Sequence, residues 1–518
     1  MKNLFKKDIF WLSVIAAGGL AWRLYLLSLL KSLTFDEIVS FSVAAKPLAQ
    51  IWSYVKWEMH PPLHYYFLHF WLQLFGATEI SAHLSSVFLS VLAIIALYFL
   101  GKELFKSGLA GLSAAALYAF SPLFCFYGVW ARMYSMLFLF AALSFLFFLK
   151  LISARGQKII LFGTLFVICT LAALFSHLTA GIILAIEAGY LIYLVLGKQN
   201  KWRELAGRFF IPAIIIVAPY GFWFWYFYQH RLKILAGNAW YFNDQNGTPL
   251  LFKAISSCIY DSLHFLTIFG GYLFDVLALS LLAISLFCAI AHASWKAGEK
   301  FKLLFFWPSG AVFSLLIFFI SFAGLFAAKL FVLRYAIIPA IGLFLLIGYG
   351  FVRASRFLKI IVLFFYLILS VLSFYCFNSR AVNIENWRGA ADFISQNEQS
   401  GDKIVGALYF DLLPMDFYYH GHLPIMAPLD EKYRGDDVLL TTIKTNMYPT
   451  TTENNVGQLE NYTRGNHRIF LLISDGGGAF LAVPKISEDW LTSQGFVKTA
   501  EWPADSGASA YVWLMEKK

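Results

Sequence analysis

The chain has 518 residues, of which 60% are hydrophobic and only 14% are charged. Because soluble globular proteins carry about 25% charged residues, this composition, with a mean hydropathy of +0.67, excludes a soluble protein and predicts a polytopic membrane protein. The net charge of +10 does not indicate nucleic-acid binding, which would need a basic soluble face. The basic excess lies in residues 1–377, with 28 Lys and Arg against 12 Asp and Glu, whereas the rest of the chain has 12 against 18.

Apolar runs recur along the first three quarters of the chain. A membrane helix needs about 20 apolar residues, and by that measure we predict about eleven spans. The long eighth run could also contain a re-entrant piece. The runs lie near 9–30, 81–100, 108–127, 133–152, 159–176, 178–196, 209–228, 259–291, 303–324, 331–350 and 358–377.

The polar segments between the runs alternate between a set rich in Lys and Arg and a set poor in them. The positive-inside rule makes the rich set cytoplasmic. The first loop, residues 31–80, and the segment after residue 377 therefore face the other side. We expect aromatic residues of the first loop, such as Trp52 and Trp57, to lie in helices at the membrane interface.

Two domains are predicted, a membrane domain over 1–377 and a soluble α/β domain over 378–518. The soluble domain is acidic, and its patterns alternate between helix and strand periods. Its predicted elements are an amphipathic helix at Trp387–Gln396, strands at Lys403–Tyr409 and Arg468–Ile473, and a polar surface loop at 436–466.

Asp36 and Glu37 lie side by side just past the first apolar run. Carboxylates at the edge of the hydrocarbon are costly to desolvate, so they usually have a partner or a task. On a helix, neighbouring residues point about 100° apart, so one can face a cavity while the other caps the helix or forms an ion pair. A cap or ion pair explains both residues, but we favour a catalytic base in this loop.

The same loop contains Glu58, His60 and His64. The two histidines are four apart, which is a metal spacing on a helix. Pro61 and Pro62 intervene, and prolines are typical of a helix start rather than a helix interior. We therefore expect no cofactor, with a divalent metal as the less favoured alternative. His60 is expected to bind a substrate phosphate or an aromatic neighbour.

Three arginines break the charge rule, because Arg23, Arg132 and Arg334 all fall near the non-cytoplasmic ends of apolar runs. A guanidinium binds phosphate oxygens through paired hydrogen bonds. A shared phosphate site is the sharper interpretation, and snorkelling or pairing with an acid of the first loop is the alternative.

Two further polar groups lie in the apolar runs. His177 falls at the outer end of the fifth run and is a candidate cavity residue. Glu187 lies deeper, within the sixth run, where a carboxyl needs a partner. We expect a structural polar contact for Glu187.

Several strings of residues resemble one family along nearly the whole chain. The chain is similar to the bacterial relatives of the protein O-mannosyltransferases, GT-C membrane glycosyltransferases that include the aminoarabinose transferases. The strings are Phe35-Asp36-Glu37, His60-Pro61-Pro62-Leu63-His64-Tyr65-Tyr66, Ala131-Arg132-Met133-Tyr134, Arg334-Tyr335 and Asn386-Trp387-Arg388.

The resemblance implies a GT-C fold and transfer of a sugar from a polyprenyl-phosphate donor, usually with inversion. The acceptor is a lipid, a glycan or a protein. It also implies a multi-pass protein of the bacterial inner membrane whose site and soluble domain face the periplasm. Asp36 would match the catalytic acid residue, with Glu37 as its companion.

The remaining site residues are predicted from their positions along the chain together with these motifs. Donor-phosphate contacts are expected from Arg132, Arg334, Tyr335, His60 and Arg23. The substrate cavity is expected to include Glu58, His64, Tyr134 and His177. Two departures stand out, because His60 replaces a lysine of the aminoarabinose transferases and Trp130 replaces a carboxylate or amide of many relatives.

Two rival classes remain open at this point. A lipid or glycolipid flippase would bind phosphate through its arginines but would not need Asp36. A proton-coupled transporter would use Asp36 and Glu187 as proton carriers. Neither class predicts the His-Pro-Pro segment or the soluble domain.

Overall fold

The computed structural model of the chain describes ten continuous segments and a few isolated positions. Two compact units contain these residues, one made of Met1–Ser28, Met59–Phe67 and Ile80–Phe377, and one made of Leu29–Glu58, Leu68–Glu79 and Asn378–Lys518. The described segments are 2–58, 60–197, 202–229, 309–327, 335–357, 385–407, 411–426, 456–474, 482–503 and 510–517, together with 359–361, 363–364, 368, 371, 439–440 and 443.

The helices begin and end close to the predicted apolar runs. The predicted run at 259–291 and Arg334 lie outside the described residues, as does most of the run at 358–377. In chain order the first helices are α1 (Lys2–Leu29), α2 (Phe35–Ala44), α3 (Leu48–Val55), α4 (Leu63–Phe75), α5 (Glu79–Phe105), α6 (Gly108–Phe120), α7 (Pro122–Val129), α8 (Tyr134–Ser153), α9 (Lys158–Leu174), α10 (Ile182–Gly197) and α11 (Trp202–Phe227). Later helices cover Ser309–Ala327, Ile337–Arg353, Trp387–Asn397, Leu412–Tyr418, Glu460–Thr463 and Ala482–Ser493.

Within the described residues, five helices are long and apolar enough to cross a membrane, or six if a bent pair counts as one span. The helices α9 and Ile337–Arg353 are apolar but shorter. The prediction of a polytopic helical membrane protein is therefore confirmed.

The third predicted span, 108–127, is not one straight helix. The helices α6 and α7 meet at a bend of 65°. Ser121 has an extended backbone between them, and Pro122 is the first residue of α7. Proline has no backbone N–H and cannot continue the preceding helix, which explains the break. The prediction missed it because the apolar run continues across Pro122.

The second unit contains a five-stranded mixed sheet in the order β2-β1-β3-β5-β4. Here β1 pairs in parallel with β2 and β3, whereas β5 runs antiparallel to β3 and β4. The central strand β3 is buried along almost its whole length, so its apolar residues form the core of the sheet. The strands are β1 (Lys403–Gly406), β2 (Ile425–Met426), β3 (Arg468–Ser474), β4 (Phe496–Trp502) and β5 (Ala510–Lys517).

The soluble α/β domain is present, as predicted, with its helix at Trp387–Asn397 and a strand at β3. The predicted strand at Lys403–Tyr409 is shorter and ends at Gly406. The surface loop predicted for 436–466 is wrong at Leu439, Ile443 and Leu459, because these three residues are buried. Leu439 and Ile443 are four residues apart, which is the spacing of one helical face.

The predicted domain boundary at 377/378 remains a prediction. Most of the first loop belongs to the same compact unit as the C-terminal residues, the second unit. The Met59–Phe67 segment belongs to the first unit. The first loop is therefore shared between the units.

Candidate functional site

Four of the predicted site residues come together in the first unit. The ring of His177 lies 4.7 Å from that of His60, 5.2 Å from that of Tyr335 and 5.9 Å from that of Tyr134, measured between ring centroids. These residues come from four segments that are far apart in the sequence. We call them the histidine–tyrosine cluster.

His177 is the centre of this cluster. It is fully buried and lies after the end of α9, where it caps a short 3-10 turn, Leu178–Gly181. The backbone N–H of Thr179 donates to its Nδ1 at 3.2 Å. A nitrogen that accepts a hydrogen bond carries no proton, so the neutral imidazole has its proton on Nε2. His177 therefore presents an N–H donor.

A backbone hydrogen bond ties the His-Pro-Pro segment to the end of α9. The N–H of Leu63, the first residue of α4, donates to the carbonyl of Phe175 at 3.0 Å. This bond brings His60 near His177. The neighbouring His64 is fully buried. Burial and, to a smaller extent, the positive charge of Arg132 lower the pKa of His64 to about 3, so its imidazole is neutral at physiological pH.

Arg132 lies in the tight turn that connects α7 to α8. Its N–H donates to the Trp130 carbonyl at 2.7 Å, and its own carbonyl accepts from the Ser86 hydroxyl at 3.4 Å. The Trp130 ring stacks on that of Tyr134 at 5.6 Å. The bend at Pro122 and this turn together fix the Arg132 backbone beside the cluster residue Tyr134.

Arg23 has a different environment from the one predicted. Its side chain is fully buried, and its Nε donates to the Ser90 hydroxyl at 2.7 Å. Its terminal nitrogens donate to the carbonyls of Gly19, Ala119 and Phe124 at 2.9, 3.0 and 3.4 Å. Ala119 and Phe124 flank the break between α6 and α7. These partners are protein groups, and they indicate a structural role rather than a phosphate contact.

Glu187 makes the structural polar contact that was predicted. Its carboxyl accepts from the Ser144 hydroxyl at 2.8 Å. The Ser144 hydroxyl also lies 2.7 Å from that of Thr170. A buried carboxyl held by hydroxyl donors satisfies the polar-group requirement of an apolar interior.

Asp36 and Glu37 lie in the first turn of α2, in the second unit. Glu37 is 1% exposed, and its carboxylate accepts from the N–H and the hydroxyl of Thr34, both at 2.9 Å. This is a capping box, in which the cap residue and the third helical residue satisfy each other's donors. Asp36 is half-buried. The first turn thus separates the pair into a capping residue and a candidate base.

Glu58 also belongs to the second unit and follows the end of α3. It is half-buried, and its N–H donates to the Val55 carbonyl at 2.9 Å. Within the described residues, no three His, Cys, Asp or Glu side chains are grouped as a metal ion would require. Arg334 is outside those residues, so its predicted contact remains a prediction.

The sequence reading missed one carboxyl near Asp36, that of Glu385. Its Oε2 accepts from the Phe35 N–H at 2.6 Å and from the Trp387 indole N–H at 3.1 Å. The only sequence signal was the neighbouring Asn386-Trp387-Arg388 string, which was noted for its resemblance and not for its chemistry.

Comparison with known proteins supports the relationship that the motifs implied. Residues 59–223 match the model of the family described as dolichyl-phosphate-mannose-protein mannosyltransferase. That match includes the His-Pro-Pro segment, Arg132 and His177, but it begins after Asp36. No curated protein sequence matches the chain.

Solved structures extend the likeness to the rest of the chain. ArnT from Cupriavidus metallidurans, bound to undecaprenyl phosphate, matches with a TM-score of 0.53 at 14% identity, covering 97% of this chain and 98% of ArnT. The archaeal oligosaccharyltransferase AglB from Archaeoglobus fulgidus, in complex with an inhibitory peptide and a dolichol-phosphate, matches with a TM-score of 0.55 at 12% identity, covering 98% and 74%. The chain has the GT-C fold.

The fold shared with ArnT and AglB and the family match at residues 59–223 confirm the resemblance inferred from the motifs. It covers both units, since the ArnT match spans nearly all of each chain. At these identities the solved structures establish the GT-C fold but not the substrate or the residue roles.

Proposed function

We propose that the chain is a membrane glycosyltransferase that transfers a sugar from a polyprenyl-phosphate donor to an acceptor. The acceptor is a hydroxyl or phosphate of a lipid, a glycan or a protein. The reaction takes place on the extracytoplasmic face of the bacterial inner membrane, with inversion at the sugar. Asp36 is the base of this reaction.

The observation that carries the proposal is the fold shared over almost the full chain with ArnT, a protein solved with undecaprenyl phosphate. A polyprenyl phosphate combines a long apolar chain with a small anion. The first unit combines apolar helices with Arg132 and the histidine–tyrosine cluster. Both parts of such a donor therefore have a matching environment in this unit.

The leaving group of the reaction is a polyprenyl phosphate, which gains negative charge as the bond to the sugar breaks. Arg132 is the proposed partner of this charge, because a guanidinium stabilises phosphate oxygens through charge-assisted hydrogen bonds. His177 adds an N–H donor at Nε2. His60, Tyr335 and Arg334 complete the proposed phosphate contacts, while Tyr134 and His64 shape the cavity.

Asp36 is proposed to accept the proton of the acceptor hydroxyl as that oxygen attacks the sugar. General-base catalysis of this kind contributes typically 10²- to 10⁴-fold. Glu37 is already engaged by Thr34, so its carboxylate serves the helix start. Glu58 remains a proposed cavity residue.

The test is a transfer assay in detergent micelles. Purified protein is incubated with labelled polyprenyl-phosphate sugars and a pool of extracted lipid acceptors, and labelled product is separated from donor. A micelle has no two sides, so a flippase or a transporter gives no product in this assay. Product that depends on the protein supports the transferase.

The Asp36→Asn variant tests the base in the same assay. We expect a loss of roughly 10²-fold or more in turnover. Unchanged turnover in this variant would contradict the role of Asp36, and absence of product with every donor would contradict the transferase itself.

A further inference from the structure

The backbone just before Asp36 is held by residues from the C-terminal part of the second unit. The Leu33 N–H donates to the Tyr418 hydroxyl at 2.7 Å. The Ser32 hydroxyl donates to the Glu385 carbonyl and accepts from the Trp387 N–H at 3.1 Å. These bonds surround the entry into α2.

Glu385 makes the most direct of these contacts. Its Oε2 accepts from the N–H of Phe35, the first residue of α2, at 2.6 Å. The first N–H groups of a helix have no partner within the helix. The Phe35 N–H therefore takes its partner from a residue 350 positions away. A carboxylate at a helix N-terminus also interacts favourably with the helix dipole.

Two features of Glu385 are energetically unfavourable for a residue that only caps a helix. Its backbone φ is +43°, a left-handed value that residues other than glycine rarely adopt. Burial, with the negative charges of Asp36 and Glu37 nearby, raises the pKa of its carboxyl to about 7. Backbone strain and crowded like charges concentrate at functional sites.

We propose that Glu385 is a positioning residue that fixes the first turn of α2, and with it the carboxylate of Asp36, for sugar transfer. The inference rests on the proposed role of Asp36 as the base. Asp36 follows Phe35 directly, so a shift of the Phe35 backbone moves the base. A displacement of about 1 Å in a reacting group can cost on the order of 10²-fold in rate.

The experiment compares three variants of the full-length protein in micelles. Glu385→Ala removes the acceptor of the Phe35 N–H, whereas Glu385→Gln keeps an oxygen that can accept it. Asp392→Ala, an exposed carboxylate of the following helix Trp387–Asn397, is the matched control. Hydrogen–deuterium exchange of peptides that contain Phe35 is measured together with kcat and KM for transfer.

We expect faster exchange at Phe35 and a roughly 10- to 100-fold lower kcat in Glu385→Ala, with the donor KM unchanged. Glu385→Gln should restore slow exchange and most of kcat, and Asp392→Ala should match the wild type. A general loss of structure in Glu385→Ala would instead raise exchange throughout the second unit. In that case the proposal is judged on Glu385→Gln alone, which must keep slow exchange at Phe35 and most of kcat.

Three results would overturn the proposal. If hydrogen exchange at Phe35 is unchanged in Glu385→Ala, the hydrogen bond from Phe35 to Glu385 does not hold the start of α2. Faster exchange with an unchanged kcat would show that the contact does not position the base. A parallel Asp36→Asn sample that keeps full turnover would overturn the base assignment, and the role of Glu385 with it, while the exchange data still report the contact separately.

Discussion

The two units each contain candidate site residues, and the surroundings of these residues are stabilised in different ways. In the first unit, the histidine–tyrosine cluster joins four distant segments through buried rings. In the second unit, the entry into α2 is held by carboxyl groups that accept backbone N–H bonds. The first region depends on the packing of buried rings, and the second depends on hydrogen bonds to carboxyl groups.

This difference predicts which perturbations each region tolerates. A buried ring cluster responds to a loss of volume, because the surrounding atoms relax only partly into a cavity. A set of carboxyls responds to pH, since their hydrogen bonds and mutual repulsion change with protonation. The following substitutions and conditions separate the two.

The largest expected effect on stability comes from Arg23→Met. The substitution leaves buried carbonyls beside the break between α6 and α7 without their charged donor. We expect a destabilisation of about 3 kcal/mol or more, measured as thermal unfolding in detergent. The donor KM of the folded fraction should stay unchanged.

Arg155→Met is the matched control for Arg23→Met, because Arg155 is exposed. It should unfold like the wild type. A normal unfolding temperature in Arg23→Met together with a raised donor KM would contradict the structural role and restore the predicted phosphate contact.

Substitutions of His177 test whether the cluster acts by shape alone. His177→Ala removes a fully buried ring, and we expect a loss of about 2 kcal/mol. His177→Phe keeps a ring but removes the Nδ1 acceptor of Thr179 and the Nε2 donor, so its loss should be about 1 kcal/mol.

Donor binding distinguishes the two roles of His177. We expect a roughly 10-fold higher donor KM in His177→Phe, because the donor to phosphate is lost. A wild-type KM in His177→Phe would show that the ring serves packing only, and phosphate binding would then lie elsewhere.

A different kind of effect, a pH dependence, is expected in the second unit. The pKa of Glu385 is raised from 4.5 to about 7 in the folded state. Its contribution to stability is therefore fully present below pH 4.5 and is lost as pH rises through about 7. Relative to the wild type, Glu385→Gln should be more stable at pH 8 than at pH 5.

Denaturant unfolding of both proteins at pH 5 and pH 8 measures this difference directly. The double comparison cancels the titration of other groups that the two proteins share. A difference that is the same at both pH values would contradict a titrating Glu385.

Much of the fold was predictable, because long apolar runs report membrane helices almost independently of context. The break at Pro122 was missed since the run of apolar residues continues through it. Leu439 and Ile443 were assigned to a surface loop because the stretch 436–466 as a whole is polar, yet both are buried. Short amphipathic helices in polar segments give weak sequence signals.

Candidate site residues could be identified from the sequence where their residue type is rare in its surroundings. Histidine and arginine in apolar segments are uncommon, so His60, Arg132 and His177 were noticed from the sequence. Glu385 is one acid among many in an acidic domain. Its contact with Phe35 spans 350 residues, and no local pattern predicts such a pairing. Arg23 was also noticed, but sequence cannot tell a phosphate from a backbone carbonyl as the acceptor, and in the structure its guanidinium donates to carbonyls.

The ratio of turnover between Asp36→Asn and Glu37→Gln tests the central claim most directly. The two substitutions remove the same charge from adjacent residues, and glutamine at position 37 can still accept in the capping box. With saturating polyprenyl-phosphate sugar, we expect Asp36→Asn to lose roughly 10²-fold or more and Glu37→Gln to stay within a few-fold of the wild type. Equal losses in both variants, or full turnover in Asp36→Asn, would contradict Asp36 as the base of a sugar transfer.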